Sequence, residues 1–321
     1  MFISVLDAGT LGDDLDLGPL EEFGRLSIYR STSREELPSR IAEADIILVN
    51  KVLIDKKALS CAPKLKLICV SATGYDNIDL SGCREKGVAV CNVAGYSTDS
   101  VAQLTLAVTL WLSCRFGDYL PFVREGHYSA SGMANKVWPP FYELRGKTWG
   151  IVGYGNIGKQ VGSMAAVLGC RLLVNRKNIG QETDVEYADI DTLCRKSDII
   201  SLHVPLNNET RGLIDCRRIG LMKPGVIFVN AARGAVTDEK ALAQAALDGR
   251  LGGLGADVYT EEPFTESHPF YALRGLPNVC LTPHMAWAAY EARKRCLEEV
   301  VLNIRAFLTG ENRNRVGMKK G

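Results

Sequence analysis

The chain is 321 residues long, with 46% apolar and 23% charged side chains, enough for two domains with full cores and the balance of an ordinary globular protein. Its 38 basic and 37 acidic residues leave a net charge of +1, which excludes a global electrostatic footprint for nucleic acid or a membrane surface. The opening "MFISVLDAGTLGDDLD" lacks the basic and apolar regions of a secretory leader, and the cysteines show neither C-x-x-C nor zinc spacing, so they read as buried reduced thiols of a cytoplasmic protein.

In chain order, the predicted strands of the first third are "FISVLDA", "LSIYR", "DIILVN", "LKLICV" and "VAVCNV". Several are continuous apolar runs, the mark of parallel strands covered on both faces. Residues 101–116, "VAQLTLAVTLWLSCRF", read as a helix apolar on nearly every face and therefore buried. With Gln103, Thr105, Thr109 and Ser113 this stretch falls short of the roughly 20 apolar residues of a membrane span. From residue 148 the strands are "TWGIVGYG", "CRLLVN", "DIISLHV", "GVIFVNAA", "LGGLGADVY" and "VCLTPHM". Two such series predict an α/β protein with two doubly wound parallel-sheet domains. The tail "WAAYEARKRCLEEVVLNIRAFLTGE" has helical spacing and is expected to return to the first domain. The expected limits are 1–95 with 288–321 for a discontinuous substrate domain and 96–287 for a dinucleotide-binding domain, with a cleft between them.

The motif "GYGNIG" supplies G-x-G-x-x-G as Gly153, Gly155 and Gly158, between a strand and a helical pattern. Gly153 permits the tight turn, Gly155 lets backbone approach a pyrophosphate, and Gly158 lets helix and strand pack closely. Asn156 and Ile157 open the helix whose N–H groups and dipole favour phosphate. The next strand ends "LLVNRKN", where a fold of this kind places an acid about 20 residues beyond the last glycine to bind the ribose hydroxyls. Here stand Asn175, Arg176 and Lys177. A guanidinium clasps a 2′-phosphate through charge-assisted bonds, so the stretch points to NADP(H). The alternative is an Arg176 stacked near the adenine of NAD(H).

Of the four histidines, His284 ends the apolar run "NVCLTPH"; Asp257 and Glu262 lie in "GADVYTEEP", and Arg233 in the turn of "VIFVNAARGAV". Polar groups at three parallel strand ends suit reduction of a 2-oxo acid. An imidazolium donates a proton to the carbonyl oxygen, a carboxylate orients it, and an arginine binds the substrate carboxylate. Singly, each is equally a salt-bridged surface residue. His203 in "SLHVPL" reads as a structural wall beside the cofactor, and His127 and His268 as loop or surface histidines.

At these residues the sequence resembles the D-isomer-specific 2-hydroxyacid dehydrogenases over nearly the whole chain. "GYGNIG", "SLHVPLNNETRGLI", "MKPGVIFVNAARGAV", "ADVYTEEP" and "LTPH" recur there in this order. "SATGYDNIDL" and "GYSTDSVAQLTLAV" resemble the glycerate dehydrogenase/hydroxypyruvate reductase branch. The resemblance implies a flavodoxin-like substrate domain, a Rossmann-type cofactor domain and a homodimer, with an intersubunit role for the helix at 101–116. It implies that Arg233 binds substrate, Glu262 orients His284, and His284 is the acid/base. Around the cofactor it places Asp257, His203, Val204, Pro205, Thr210, Ala231 and Ala232, and at the substrate carboxylate the backbone of Thr73 and Gly74. Lys51 is a candidate for a carboxylate contact or a solvated lysine. Trp138 is a candidate for closing the substrate pocket from the partner subunit or for packing in a core or interface.

This sequence departs from the family pattern at Arg176, which replaces the common acid, and at Gln103, where many members carry glutamate. Asn50 and Lys51 stand near the arginine of relatives with phosphorylated substrates. The expected activity is reduction of hydroxypyruvate and glyoxylate to D-glycerate and glycolate, with NADP(H) preferred and NAD(H) possible. The alternatives are a reductase of a bulkier 2-oxo acid, linked to NAD or NADP, and a dinucleotide-sensing corepressor-like binding protein.

Overall fold

The computed structural model describes residues 1–178 and 182–317. Positions 179–181 and 318–321, which fall in the expected second and first domains, lie outside the described residues. The chain divides into two compact units, Met1–Ser97 with Ala288–Gly321, and Thr98–Trp287.

In the first unit the apolar runs become β1 (Phe2–Val5), β2 (Arg25–Ile28), β3 (Ile46–Val49), β4 (Leu67–Val70) and β5 (Ala89–Cys91). They pair in parallel in the order β2-β1-β3-β4-β5, a doubly wound order of the flavodoxin type. Every residue of β3 and β4 is buried, which is why these strands read as unbroken apolar runs. One face sets Ile47, Val49, Ile68 and Val70 against Leu37, Ile41, Ala58 and Leu59. The long helix Tyr290–Leu308 lies against β4, burying Cys296, Val300 and Ile304. Paired bonds from Arg305 to Glu22, both 2.8 Å, help fasten it.

The second unit is contiguous. Its strands are β6 (Thr148–Val152), β7 (Arg171–Asn175), β8 (Glu186–Tyr187), β9 (Ile199–Leu202), β10 (Val226–Asn230), β11 (Leu251–Ala256) and β12 (Val279–Leu281). All pairs are parallel, in the order β12-β11-β10-β9-β6-β7-β8. Chain order reverses direction at β6, so the crevice beyond its carboxyl end is the place where such sheets bind ligands. Local chemistry marks the helix starts: Asp189, Asp215 and Asp238 each accept a bond from the backbone N–H three residues on, capping helices that begin at Ile190, Cys216 and Glu239.

The helix expected at 101–116 requires correction. It runs from Thr98 to Ser113, and Arg115 takes a left-handed conformation (φ 55°) before a second helix, Phe116–Arg124. Nor is it buried all round: Val101, Ala102, Thr105, Val108, Thr109 and Leu112 are covered, whereas Gln103 and Ala107 are exposed. Its covered stripe sits directly on β11. A side chain at Gly255 would stand 2.4 Å from Val108 Cγ1, and one at Gly253 2.9 Å from Leu112 Cβ. The glycines of "LGGLGA" therefore admit the helix.

Candidate active site

The glycine turn joins β6 to the helix Asn156–Val167. Gly153 has φ 94°, and a Cβ there would lie 2.6 Å from His203 O. Gly158 is equally constrained, 2.2 Å from Gly153 O, whereas a Cβ on Gly155 would meet nothing within 4 Å. Gly155 also caps the helix without any side-chain bond. The first N–H groups of the helix, from Asn156 and Ile157 onward, thus adjoin an exposed glycine backbone, the arrangement a pyrophosphate requires. These residues fit a dinucleotide.

The end of β7 is tied to this turn, since Gly153 N donates to Asn175 O at 2.9 Å. Asn175 spends its amide N–H on Ala188 O (2.9 Å), and Lys177 pairs with Glu209 at the surface (2.7 Å). Arg176 Nη1 stands 3.5 Å from Glu182 Oε1, an acid the sequence reading did not single out. Val204 and Pro205 follow β9, and Thr210 closes their turn by donating to Pro205 O at 2.6 Å. His203 Nε2 contacts Ser201 Oγ at 3.0 Å, and Ser201 Oγ also accepts from the buried Trp149 indole at 2.9 Å. Burial pushes the His203 imidazole down to about 3, so it stays neutral.

Arg233, Glu262 and His284 follow β10, β11 and β12, three neighbouring strands of one sheet. His284 Nδ1 donates to Glu262 Oε2 at 2.6 Å, and Glu262 Oε1 accepts from Tyr259 N at 3.0 Å. Both side chains are partly exposed, at 21% and 31%, so the pair is held yet reachable. His284 sits at φ 53°, a left-handed conformation uncommon for a non-glycine residue. Asp257 holds it there. This buried carboxylate accepts from Thr282 Oγ1 (2.7 Å), Met285 N (2.8 Å) and Ala286 N (2.8 Å), bracketing His284 on both sides. Burial raises its carboxyl above the usual range, against the pull of these donors. Asp257, expected around the cofactor, is thus also a brace for the histidine.

The Arg233 turn is fixed by Asn230, whose amide donates to Arg233 O (3.0 Å) while its oxygen accepts from Ala232 N (3.0 Å). Ala231 and Ala232 form the start of that turn, and Arg233 Nη1 donates to Ala232 O at 2.8 Å. The turn also touches the Glu262 loop, because a Cβ at Gly234 would stand 2.1 Å from Tyr259 C.

His268 requires correction: it is buried, not a surface residue. Its Nδ1 accepts from Phe270 N (3.2 Å), which leaves Nε2–H to donate to Glu239 Oε2 (2.9 Å). Glu239 also accepts from Thr260 N at 3.0 Å and from the Thr260 hydroxyl, so it anchors the segment that carries Glu262. Phe264 stacks on the imidazole with centroids 5.1 Å apart. The clue in "TESHPFY" was the aromatic company of the histidine, outweighed by its polar neighbours. His127 is exposed.

Within the first unit, the loop after β4 is pinned by Thr73 Oγ1 donating to Val93 O (2.9 Å) and Asn92 Nδ2 donating to Thr73 O (2.8 Å), with Gly74 next in line. Lys51 is exposed, and its backbone N donates to buried Asp7 at 2.6 Å. Asn50 is buried and bonded to Asp7 and Thr10. Trp138 is 73% exposed on the surface of the second unit. All ten cysteines are unbridged; six are buried and Cys216 is exposed. Among the described residues no cluster of acids, histidines and cysteines suits a metal ion, and no helix is long and apolar enough to cross a membrane.

A family model described as "D-isomer specific 2-hydroxyacid dehydrogenase, NAD binding domain" matches residues 106–286. The hydroxypyruvate reductase of Blautia hydrogenotrophica is 37% identical, with 97% of this chain and 98% of that protein aligned. An acyclic imino acid reductase (Bsp5), solved with NADPH and D-Arg, superposes with a TM-score of 0.85 at 29% identity, covering 98% of this chain and 100% of its own. The D-lactate dehydrogenase of Aquifex aeolicus, solved with NAD and lactic acid, gives 0.86 at 29% identity and covers both chains in full, 100% of each.

Proposed function

This chain belongs to the D-isomer-specific 2-hydroxyacid dehydrogenase family, enzymes that use a nicotinamide dinucleotide on 2-oxo and 2-hydroxy acids, and from that premise we propose that it is an NADP(H)-preferring reductase of hydroxypyruvate and glyoxylate. The products are D-glycerate and glycolate.

The observation that carries this reading is the 2.6 Å bond between His284 and Glu262 at the ends of adjacent strands. Glu262 fixes the imidazole through Nδ1, leaving Nε2 to give a proton to the developing alkoxide. Arg233 holds the substrate carboxylate through charge-assisted bonds, which orients the carbonyl. A bound nicotinamide supplies the hydride. The glycine turn, with Asn156 and Ile157, takes the pyrophosphate, and Arg176 takes the 2′-phosphate. Val137, Trp138, Phe141 and Tyr142 are all more than half exposed, an apolar row that supports the homodimer as its cover. The unbridged thiols are in keeping with a cytoplasmic setting.

Initial rates with hydroxypyruvate and either NADPH or NADH test the proposal, alongside His284→Asn. Turnover should fall by about 10²–10⁴-fold in the variant, with nicotinamide cofactor binding retained. Unchanged turnover would remove His284 from the chemistry, and a higher rate with NADH would overturn the cofactor preference.

A further inference from the structure

Two cations converge on a single carboxylate beside the glycine turn. Lys159 Nζ donates to Glu182 Oε1 at 2.6 Å, and Arg176 Nη1 approaches the same oxygen at 3.5 Å. The other oxygen, Oε2, accepts from the Tyr187 hydroxyl at 2.5 Å. These contacts, the Lys159 bond foremost, hold the Glu182 carboxyl down to about 2.

The position of the cluster follows from its backbone. Lys159 lies in the first turn of the helix, its N–H donating to Gly155 O at 2.8 Å. Arg176 directly follows Asn175, whose carbonyl accepts from Gly153 N. Glu182 is therefore drawn to the corner between the turn and the end of β7, where a fold of this type reads the adenosine ribose. A carboxylate there occupies the cations that a 2′-phosphate needs.

We propose that Glu182 is an internal substitute for the 2′-phosphate, closing the Lys159–Arg176 pair until NADP(H) displaces it. Lys159 is then the second cation of the phosphate site, and Glu182 discriminates between the two cofactors. This deepens the NADP(H) reading and rests on it. Adding a 2′-phosphate exchanges one anion for another between the same cations, so the preference for NADP(H) is smaller than Arg176 and Lys159 alone would give. Removing the competing charge unmasks it.

The experiment is a titration of the full chain with adenosine 2′,5′-bisphosphate and with 5′-AMP, for wild type, Glu182→Gln and Lys159→Met. Both side chains sit at the surface of the second unit, and a thermal melt checks that folding is intact. Glu182→Gln should tighten the bisphosphate about tenfold while 5′-AMP changes less than about twofold; Lys159→Met should weaken the bisphosphate about tenfold and spare 5′-AMP. If the ratio of the two affinities is the same in all three proteins, the proposal is overturned. Wild type favouring 5′-AMP, with the bisphosphate gaining in Glu182→Gln, would support the discriminator while refuting NADP(H) preference in the native chain.

Discussion

Replacing Asp257 by Asn tests whether a buried carboxylate keeps His284 in its left-handed turn. Asp257 Oδ1 accepts from Thr282 Oγ1 and Met285 N, and Oδ2 accepts from Ala286 N. If the amide oxygen of Asn takes the place of Oδ1, its NH2 group faces the Ala286 N–H, and a buried donor loses its acceptor. In the flipped orientation two donors lose theirs, although the Thr282 hydroxyl can turn and accept. The smaller loss is one bond to a charged group, about 1.5–3 kcal/mol. Stability is read from urea unfolding of the variant and the wild type. Turnover should fall too, because the turn can relax from φ 53° and carry the imidazole away from Glu262. A drop in kcat/KM of about tenfold or more corresponds to the lower energy bound. Unfolding at the wild-type urea midpoint together with wild-type kcat/KM would refute the bracing role.

Below pH 6.5 the unfolded chain protonates His203 whereas the folded one, pushed down to about 3, does not, so this group's contribution to stability is present above 6.5 and is lost as the pH falls towards 3. At pH 5 the loss amounts to about 2 kcal/mol, and urea midpoints at pH 7 and pH 5 for wild type and His203→Gln should differ by that share; equal pH dependence would count against it. Glu239→Gln replaces the buried acceptor of His268 and Thr260, which should lower kcat through the Glu262 segment and leave cofactor binding intact, as measured by fluorescence titration. Gly234→Ala drives a methyl to within 2.1 Å of Tyr259 C, and separation of the Arg233 and Glu262 loops should reduce both melting temperature and kcat/KM.

The strands were legible because most are buried on both faces, leaving continuous apolar runs such as "IILV" and "LICV". The glycine turn and the proposed triad of Arg233, Glu262 and His284 lie within a few residues of a strand end, so their placement was legible too. β8 was not, since the two residues of Glu186–Tyr187 have no periodicity to detect. His268 looked like a loop residue because its partner, Glu239, lies far off in sequence on another helix. Glu182 lay in a polar stretch whose composition announces only solvent; its meaning came from the fold carrying it back to Lys159 and Arg176. The edges of the Thr98–Ser113 helix escaped because apolar content reports burial in general and not which stripe a neighbouring sheet covers.

The return of the helix Tyr290–Leu308 to β4 sets an order of events during synthesis. Ribosomes deliver the five strands of the first sheet early, but the helix that buries Cys296, Val300 and Ile304 emerges only after the whole second unit. The second unit, continuous from Thr98 to Trp287, is complete while the first still lacks its cover. At roughly 5–20 residues per second the nascent N-terminal sheet waits about 10–40 seconds for the helix that covers it. The first unit, begun before the second, is therefore completed after it.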